Sequence, residues 1–111
     1  MSTMTQPLIY ADLRLETHRR RLCCNESSCV LKATACRLLS LLMENAGQVL
    51  SRQLIFKHVW GYDFDPGTKR LEVQTHYLRS VLALLGSELK IRTYRSRGLC
   101  LESHRLHSIL P

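Results

Sequence analysis

The chain has 111 residues, which is enough for one domain with a modest core. Its 16 Lys and Arg against 9 Asp and Glu give a net charge of +7, which favours polyanionic partners such as nucleic acid or an acidic membrane surface. No run of about 18 apolar residues predicts a transmembrane helix, and residues 1–7 lack the basic and apolar regions of a signal peptide, so we expect an intracellular protein.

Four short strands are predicted in the first third of the chain, after a leader (residues 1–7) that we expect to be disordered. The segments rich in apolar and β-forming residues are 8–10, 13–16, 21–23 and 29–31. A cluster of turn-forming residues, 25–28, separates the last two. This pattern predicts a small antiparallel sheet with one face packed on helices.

Two helices are predicted next. The first, residues 33–45, ends at Asn45-Ala46-Gly47 and carries apolar residues at helical spacing: Ala35, Leu38, Leu39, Leu42 and Met43. Ser51 is placed to cap a second helix that runs to about Trp60, and its predicted buried side consists of Leu54, Ile55 and Val59. Residues 61–67, with Asp-Phe-Asp-Pro-Gly, are predicted to be a loop.

The third helix is predicted over residues 68–85 and is ended by Gly86. An apolar stripe recurs at alternating spacings of four and three, formed by Leu71, Thr75, Leu78, Leu82 and Leu85. At about 100° per residue, the side opposite the stripe carries Lys69, Val73, His76 and Ser80, with Arg70 and Tyr77 beside them. The helix therefore has one face to bury and one face that can contact a partner.

The last predicted element is a β-hairpin over residues 89–102, followed by a tail (103–111). Its sequence alternates from Lys90 to Leu101, and Arg92, Arg95 and Arg97 fall at or near its tip. A presented helix followed by a basic hairpin indicates a protein that binds duplex DNA.

The sequence motifs also argue against an enzyme and against a metal-binding protein. No Gly-rich phosphate loop, paired carboxylates or Ser-His-Asp set can be placed in one pocket, so no enzyme and no cofactor are predicted. Five cysteines without a secretory signal argue against a disulfide framework. Cys24 and Cys29 are separated by four residues, and no second Cys-x-x-Cys or matched His pair completes a zinc site. We therefore predict mostly buried free thiols and no bound metal.

Four ordered motifs carry a family resemblance. Leu50-Ser51-Arg52, Val59-Trp60-Gly61, Leu78-Arg79 and Ile91-Arg92-Thr93-Tyr94-Arg95 with Gly98 resemble the C-terminal effector domain of the OmpR/PhoB family of response regulators. The resemblance covers residues 8–102. It implies an α+β winged helix-turn-helix, with a four-stranded N-terminal sheet, three helices and a C-terminal wing. It also implies a bacterial, cytoplasmic transcription regulator that binds tandem half-sites in double-stranded DNA, and we expect the isolated domain to be a monomer.

The resemblance and the helix pattern together predict the DNA-contacting residues. In the major groove we expect Lys69, Arg70, Val73, Gln74, His76 and Tyr77, with the apolar Val73 against a thymine methyl group. On the DNA backbone or in the minor groove we expect Ser51, Arg52, Thr93, Arg95 and Arg97. Arg79 lies nearer the buried side and is expected to bond within the fold, whereas Tyr77 can face a base or pack on the hairpin.

The same resemblance implies a contact with RNA polymerase through the loop 60–68. Trp60 itself is expected in the core, so Tyr62 and Phe64 are the predicted exposed contacts.

Departures from the family pattern keep a second interpretation open. Lys32 stands where the family usually has a capping Thr, and Ala35-Cys36 replaces a Glu-Phe pair. The wing reads Arg95-Ser96-Arg97-Gly98-Leu99 instead of Arg-Gly-x-Gly-Tyr. The alternative is a winged-helix protein-interaction module with weak or no specific DNA binding. Double-stranded RNA is disfavoured because its major groove is too narrow for a helix.

Overall fold

The computed structural model describes residues 6–103, so the tail 104–111 and most of the predicted leader lie outside the described residues. Four strands come first: β1 (Leu8–Tyr10), β2 (Leu13–Glu16), β3 (Arg21–Cys24) and β4 (Ser27–Val30). Three helices follow: α1 (Ala33–Glu44), α2 (Arg52–Trp60) and α3 (Arg70–Leu85). The last elements are β5 (Leu89–Tyr94) and β6 (Gly98–Ser103). This order confirms the predicted winged helix-turn-helix.

The N-terminal sheet is an antiparallel meander in the order β1-β2-β3-β4. Leu15 pairs with Leu8 on one side and with Leu22 on the other, and this row faces the helices. The prediction of β4 at residues 29–31 was wrong by about two positions. Asn25 adopts a left-handed φ of 54°, which asparagine tolerates, so two residues make the turn and Ser27 already pairs with Cys24.

Helix α2 begins at a side-chain cap, since the Ser51 Oγ accepts a hydrogen bond from the Leu54 amide at 3.1 Å. The prediction that Leu54 is buried was wrong: it is 38% exposed, and Phe56 is fully buried instead. Ile55, Phe56 and Val59 lie within about 100° of one another around the axis, whereas Leu54 is on the far side. Helix α2 therefore packs against the core through the side that carries these three residues.

Helix α3 begins at Arg70, two residues later than predicted, and ends where Gly86 takes a left-handed φ of 75°. The predicted stripe is buried, with Leu85 only partly so, and Val81 joins it. The Thr75 hydroxyl donates to the Leu71 carbonyl at 2.8 Å, which satisfies the one polar group in the stripe. Within residues 6–103, no helix has the length and apolar character needed to cross a membrane.

The β5–β6 hairpin, which we call the wing, is joined to the helices through the segment between α1 and α2. The Leu50 amide donates to the Leu99 carbonyl at 2.7 Å, and the Leu99 amide returns a bond to Leu50 at 2.9 Å. The Gly47 amide donates to the Leu101 carbonyl at 2.8 Å. The wing is therefore extended by a third backbone segment, which fixes it beside α2 and α3.

Candidate nucleic-acid interface

The side of α3 away from the core, which we call the outer face, consists of Lys69, Val73, His76 and Ser80. All four side chains are exposed, and Val73 retains 60% of its accessible surface. The buried stripe opposite the outer face holds it in a fixed orientation. The face combines a cation, an imidazole, a hydroxyl and an apolar patch, which are groups that can contact base edges.

On one side of the outer face, Glu72 and Arg79 form what we call the wing flank. The Arg79 Nε donates to the Ile91 carbonyl at 2.9 Å, and a terminal nitrogen donates to the Thr93 Oγ1 at 2.9 Å. This confirms the expectation that Arg79 bonds within the fold. Arg79 thereby sets the position of the wing relative to α3 and leaves Thr93 exposed beside it.

The wing tip presents two arginines with different surroundings. Arg97 lies over the Tyr94 ring, 5.8 Å from its centroid, and Arg92 lies 5.4 Å from the same centroid. The Tyr94 hydroxyl donates to Glu102 at 2.6 Å, and this bond raises the pKa of Tyr94. Within residues 6–103, Arg95 makes neither a hydrogen bond nor an ion pair. The tip therefore offers one arginine held on an aromatic ring and one that extends into solvent.

Arg52, predicted to contact the DNA backbone, is held by internal contacts. Its Nε donates to Asp65 at 2.8 Å, and another nitrogen pairs with Glu72 of α3. The hydrogen bond from Arg52 lowers the pKa of Asp65, and the same bond raises the pKa of Arg52. Arg52 therefore joins α2, the loop and α3, while Ser51 at the same helix end is exposed and caps α2.

The opposite side of α3, formed by Gln74 and Tyr77, is what we call the α1 flank. Tyr77 is partly buried against the core, and the Lys32 ammonium lies 5.2 Å from its ring centroid. Thr34, in the first turn of α1, lines one cleft together with Val73 and Gln74. Tyr77 thus packs towards the start of α1. Lys32 and Thr34 were not predicted to lie near the interface; the only signal in the sequence was the departure from the family pattern at position 32.

A row of four contacting aromatic rings supports the loop that precedes α3, and it consists of Trp60, Phe56, Tyr62 and Phe64. The Phe56 and Trp60 centroids are 4.9 Å apart, and Tyr62 and Phe64 are stacked at 6.0 Å. Trp60 packs against the core, as expected, and Phe64 is 62% exposed. The prediction that Tyr62 is exposed was only half right, because it is partly buried. Arg70 donates to the Tyr62 hydroxyl, which orients Arg70 towards the loop.

A cavity of about 320 Å³ separates α3 from the wing. Leu71 and Leu99 line its inner part, and Ser51, Thr93 and Arg97 are at its rim. Two hydroxyls and a guanidinium at one rim are donors of the kind that hold phosphate oxygens. The cavity therefore places hydrogen-bond donors beside α3, on the side of the wing.

The five cysteines are free thiols, of which Cys24, Cys36 and Cys100 are buried. Burial raises the pKa of Cys24, Cys29 and Cys36, and it raises the pKa of Cys100 to about 11. A thiol with a raised pKa is a poor metal ligand and a poor nucleophile at neutral pH. Over residues 6–103, no three Cys, His, Asp or Glu side chains come together in a way that could hold a metal ion.

Comparison with known proteins supports the family resemblance seen in the sequence motifs. Residues 26–101 match the family described as "Transcriptional regulatory protein, C terminal". Response regulator MprA of Mycolicibacterium vanbaalenii is 33% identical over 94 residues, which cover 85% of this chain and 41% of MprA. Response regulator ArlR of Staphylococcus haemolyticus is 43% identical over 61 residues, covering 55% of this chain and 28% of ArlR. The chain thus spans less than half the length of these relatives.

Two solved structures share the fold. The DNA-binding domain of CpxR from E. coli has a TM-score of 0.71 at 24% identity and covers 89% of this chain and 98% of its own. The DNA-binding domain of Klebsiella pneumoniae RstA, solved in complex with the RstA box, has a TM-score of 0.77 at 21% sequence identity. The match covers 90% of this chain and 100% of the RstA domain. At these identities the likeness shows the winged helix-turn-helix architecture.

Proposed function

This chain belongs to the family of C-terminal domains of transcriptional regulatory proteins, and we propose that its α3 reads the major groove of duplex DNA while the wing holds the DNA backbone. The observation that carries the proposal is the outer face of α3, exposed between the arginines of the wing tip on one side and Lys32 on the other. Such a face can enter a groove, because side chains from both flanks then reach phosphates.

Within the groove, Val73 contacts a thymine methyl group and Lys69, Gln74 and His76 reach base edges or nearby phosphates. Arg70 and Tyr77 remain proposed contacts, although each is also used by the fold: Arg70 donates to Tyr62, and Tyr77 is partly buried. Both would contribute from the edges of the outer face. The centre of the outer face, around Val73 and His76, therefore carries the proposed sequence reading.

On the backbone, Arg95 and Arg97 at the wing tip enter the minor groove or hold phosphates. Ser51 and Thr93 add hydroxyl donors at the rim of the cavity beside α3. Arg52 contributes mainly by fixing the start of α2, since its guanidinium is shared by Asp65 and Glu72.

The family resemblance also supports two further proposals, on the arrangement of the DNA sites and on a contact with RNA polymerase. The chain binds tandem half-sites in DNA and works in the bacterial cytoplasm. The isolated domain is a monomer. Phe64, with the edge of Tyr62, offers an exposed aromatic surface on the loop before α3 that suits a contact with RNA polymerase. Substitution of Phe64 by Ala tests that contact, because it should lower transcription activation without changing affinity for DNA.

A salt titration of binding to a random duplex tests DNA binding itself. Affinity should fall steeply with salt, with a log-log slope of about −0.9 per phosphate contact. Arg95→Ala and Arg97→Ala should each weaken binding to all duplexes, and each should reduce the slope by roughly one unit if the arginine touches one phosphate. Arg14→Ala is the matched control, because Arg14 is an exposed arginine on the N-terminal sheet, paired with Glu16 at 3.5 Å.

Two results would contradict the proposal at different levels. Unchanged slope and affinity in the Arg95→Ala, Arg97→Ala double variant would remove the wing from the interface. A flat salt dependence of the wild type would overturn DNA binding and favour the protein-interaction module. An effect of Arg14→Ala as large as that of the wing variants would show that net charge, and not position, is what counts.

A further inference from the structure

Lys32 is the residue immediately before α1 and occupies its N-cap position without making a side-chain cap. A short polar side chain at this position would accept a hydrogen bond from the first turn and stabilise the helix. The chain instead has a long cation there, exposed to solvent. Across residues 6–103 no carboxylate pairs with this ammonium, which lies beside the ring of Tyr77. Helix capping therefore does not account for a lysine at this position.

The position of Lys32 relative to α3 suggests its use. Around the axis of α3, Glu72 and Arg79 lie about 140–160° from Tyr77 and Gln74, with the outer face between them. The wing contacts the first flank through Arg79. Lys32 contacts the second flank, through Tyr77. The wing and Lys32 therefore border the outer face of α3 from opposite sides.

A helix with its side chains is about 10–12 Å across, and the major groove of DNA is about 12 Å wide. A helix in the groove consequently has a phosphate backbone close to each of its two flanks. The wing and Ser51 would face one strand. Lys32 would face the other, and a lysine that packs its stem and head along an aromatic ring still has N–H groups to donate.

We propose that Lys32 binds a backbone phosphate of the DNA strand opposite to the strand held by the wing. This inference rests on the proposed function and extends its interface across the groove. Thr34, which lines the cleft shared with Val73 and Gln74, marks the same border of the interface and carries a hydroxyl that can donate to the same strand. Because phosphates carry no sequence information, Lys32 adds affinity without changing which bases are preferred.

Lys32→Thr is an informative variant because it should weaken DNA binding without lowering the stability of the domain. The threonine supplies the missing cap, which offsets the lost contact with Tyr77, so the melting temperature should stay equal or rise. Removal of one cation from a phosphate should reduce the salt slope by about 0.9, so a fourfold rise in salt costs the variant about 3.5-fold less affinity than it costs the wild type. The motif selected from a random duplex pool should not change.

Two further variants isolate the role of position. Lys90→Thr removes the same charge from an exposed residue near the base of the wing, away from the tip, and should leave the salt slope at its wild-type value. Lys32→Arg keeps the cation and should retain the full slope. Equal salt slopes for Lys32→Thr, Lys90→Thr and the wild type would overturn the proposal while leaving DNA binding intact. Failure of DNA binding as a whole would be visible separately, as a flat salt dependence of the wild type.

Discussion

At the scale of single residues, Val73 is the side chain whose surroundings bear most directly on sequence reading. It is an apolar residue, 60% exposed, on a face otherwise polar and basic. We expect Val73→Ala to reduce discrimination at one thymine position by about 1 kcal/mol, the low end for a base contact. Folding and affinity for random duplex should change little, because the side chain is not part of the core. Selection from a random pool, with thermal melting alongside, measures both effects.

Leu84 provides a matched control for Val73. It is also an exposed apolar residue of α3, 85% accessible, but it lies near the C-terminal end of the helix. Leu84→Ala should leave the selected motif and the melting temperature unchanged. If Val73→Ala also left the motif unchanged, or if it destabilised the domain, the proposed contact of Val73 with a base would be wrong.

At the scale of elements, the start of α2 combines a structural role with a proposed DNA contact, and the two can be separated. Ser51 caps the helix through its hydrogen bond from Leu54. Ser51→Ala should lower the free energy of unfolding by about 1 kcal/mol. Ser51→Asp keeps an effective cap but adds a negative charge at the rim of the interface, so stability should be retained while affinity for DNA falls. Urea unfolding and duplex titration of both variants measure the two effects.

The outcome at Ser51 depends on where the DNA backbone runs. If Ser51→Asp binds duplex as tightly as the wild type, the start of α2 does not approach a phosphate, and its serine serves only as a cap.

Asp65→Asn tests the role of Arg52 in the same region, because it removes the charge of the carboxylate that is paired with Arg52. It should loosen the loop, seen as faster amide exchange near Gly67, whose amide donates to Asp65 at 2.9 Å.

At the scale of the whole molecule, the wing depends on a close approach between β6 and the connection from α1 to α2. A Cβ on Gly98 would lie 1.8 Å from the Leu50 carbonyl oxygen, and its φ of 140° disfavours any side chain. Gly98→Ala should therefore destabilise the domain by about 3 kcal/mol or more, and displace the wing in any folded fraction. Urea unfolding gives the first quantity, and the salt slope of DNA binding at low temperature gives the second.

Gly86 is the control for Gly98, since it also has a positive φ, of 75°, but a Cβ there meets nothing within 4 Å. Gly86→Ala should cost about 1–2 kcal/mol through backbone strain alone and should leave the wing and the salt slope intact. Similar stability losses in the two variants would contradict the role of the Leu50 contact. The comparison thus separates local backbone strain from the tertiary junction.

Features that depend on residues close together in the chain were predictable from the sequence. The stripe of α3, the cap at Ser51 and the stop at Gly86 were predictable because helical spacing and capping act over a turn or two. The fold class followed from the order of such elements and from the family motifs. The burial of Phe56 in place of Leu54 was decided by the orientation of a short helix against the core, which local spacing leaves open.

Which side chains are already engaged in contacts within the fold could not be predicted from the sequence and is seen only in the folded domain. Arg52 is engaged by Asp65 and Glu72, Gly98 must remain small because Leu50 passes beside it, and Lys32 reaches the flank of α3 opposite the wing. Each of these depends on residues that are distant in the chain and adjacent only after folding. Periodicity and propensity carry no information on such pairs, because they describe how a segment folds and not which other segment it meets.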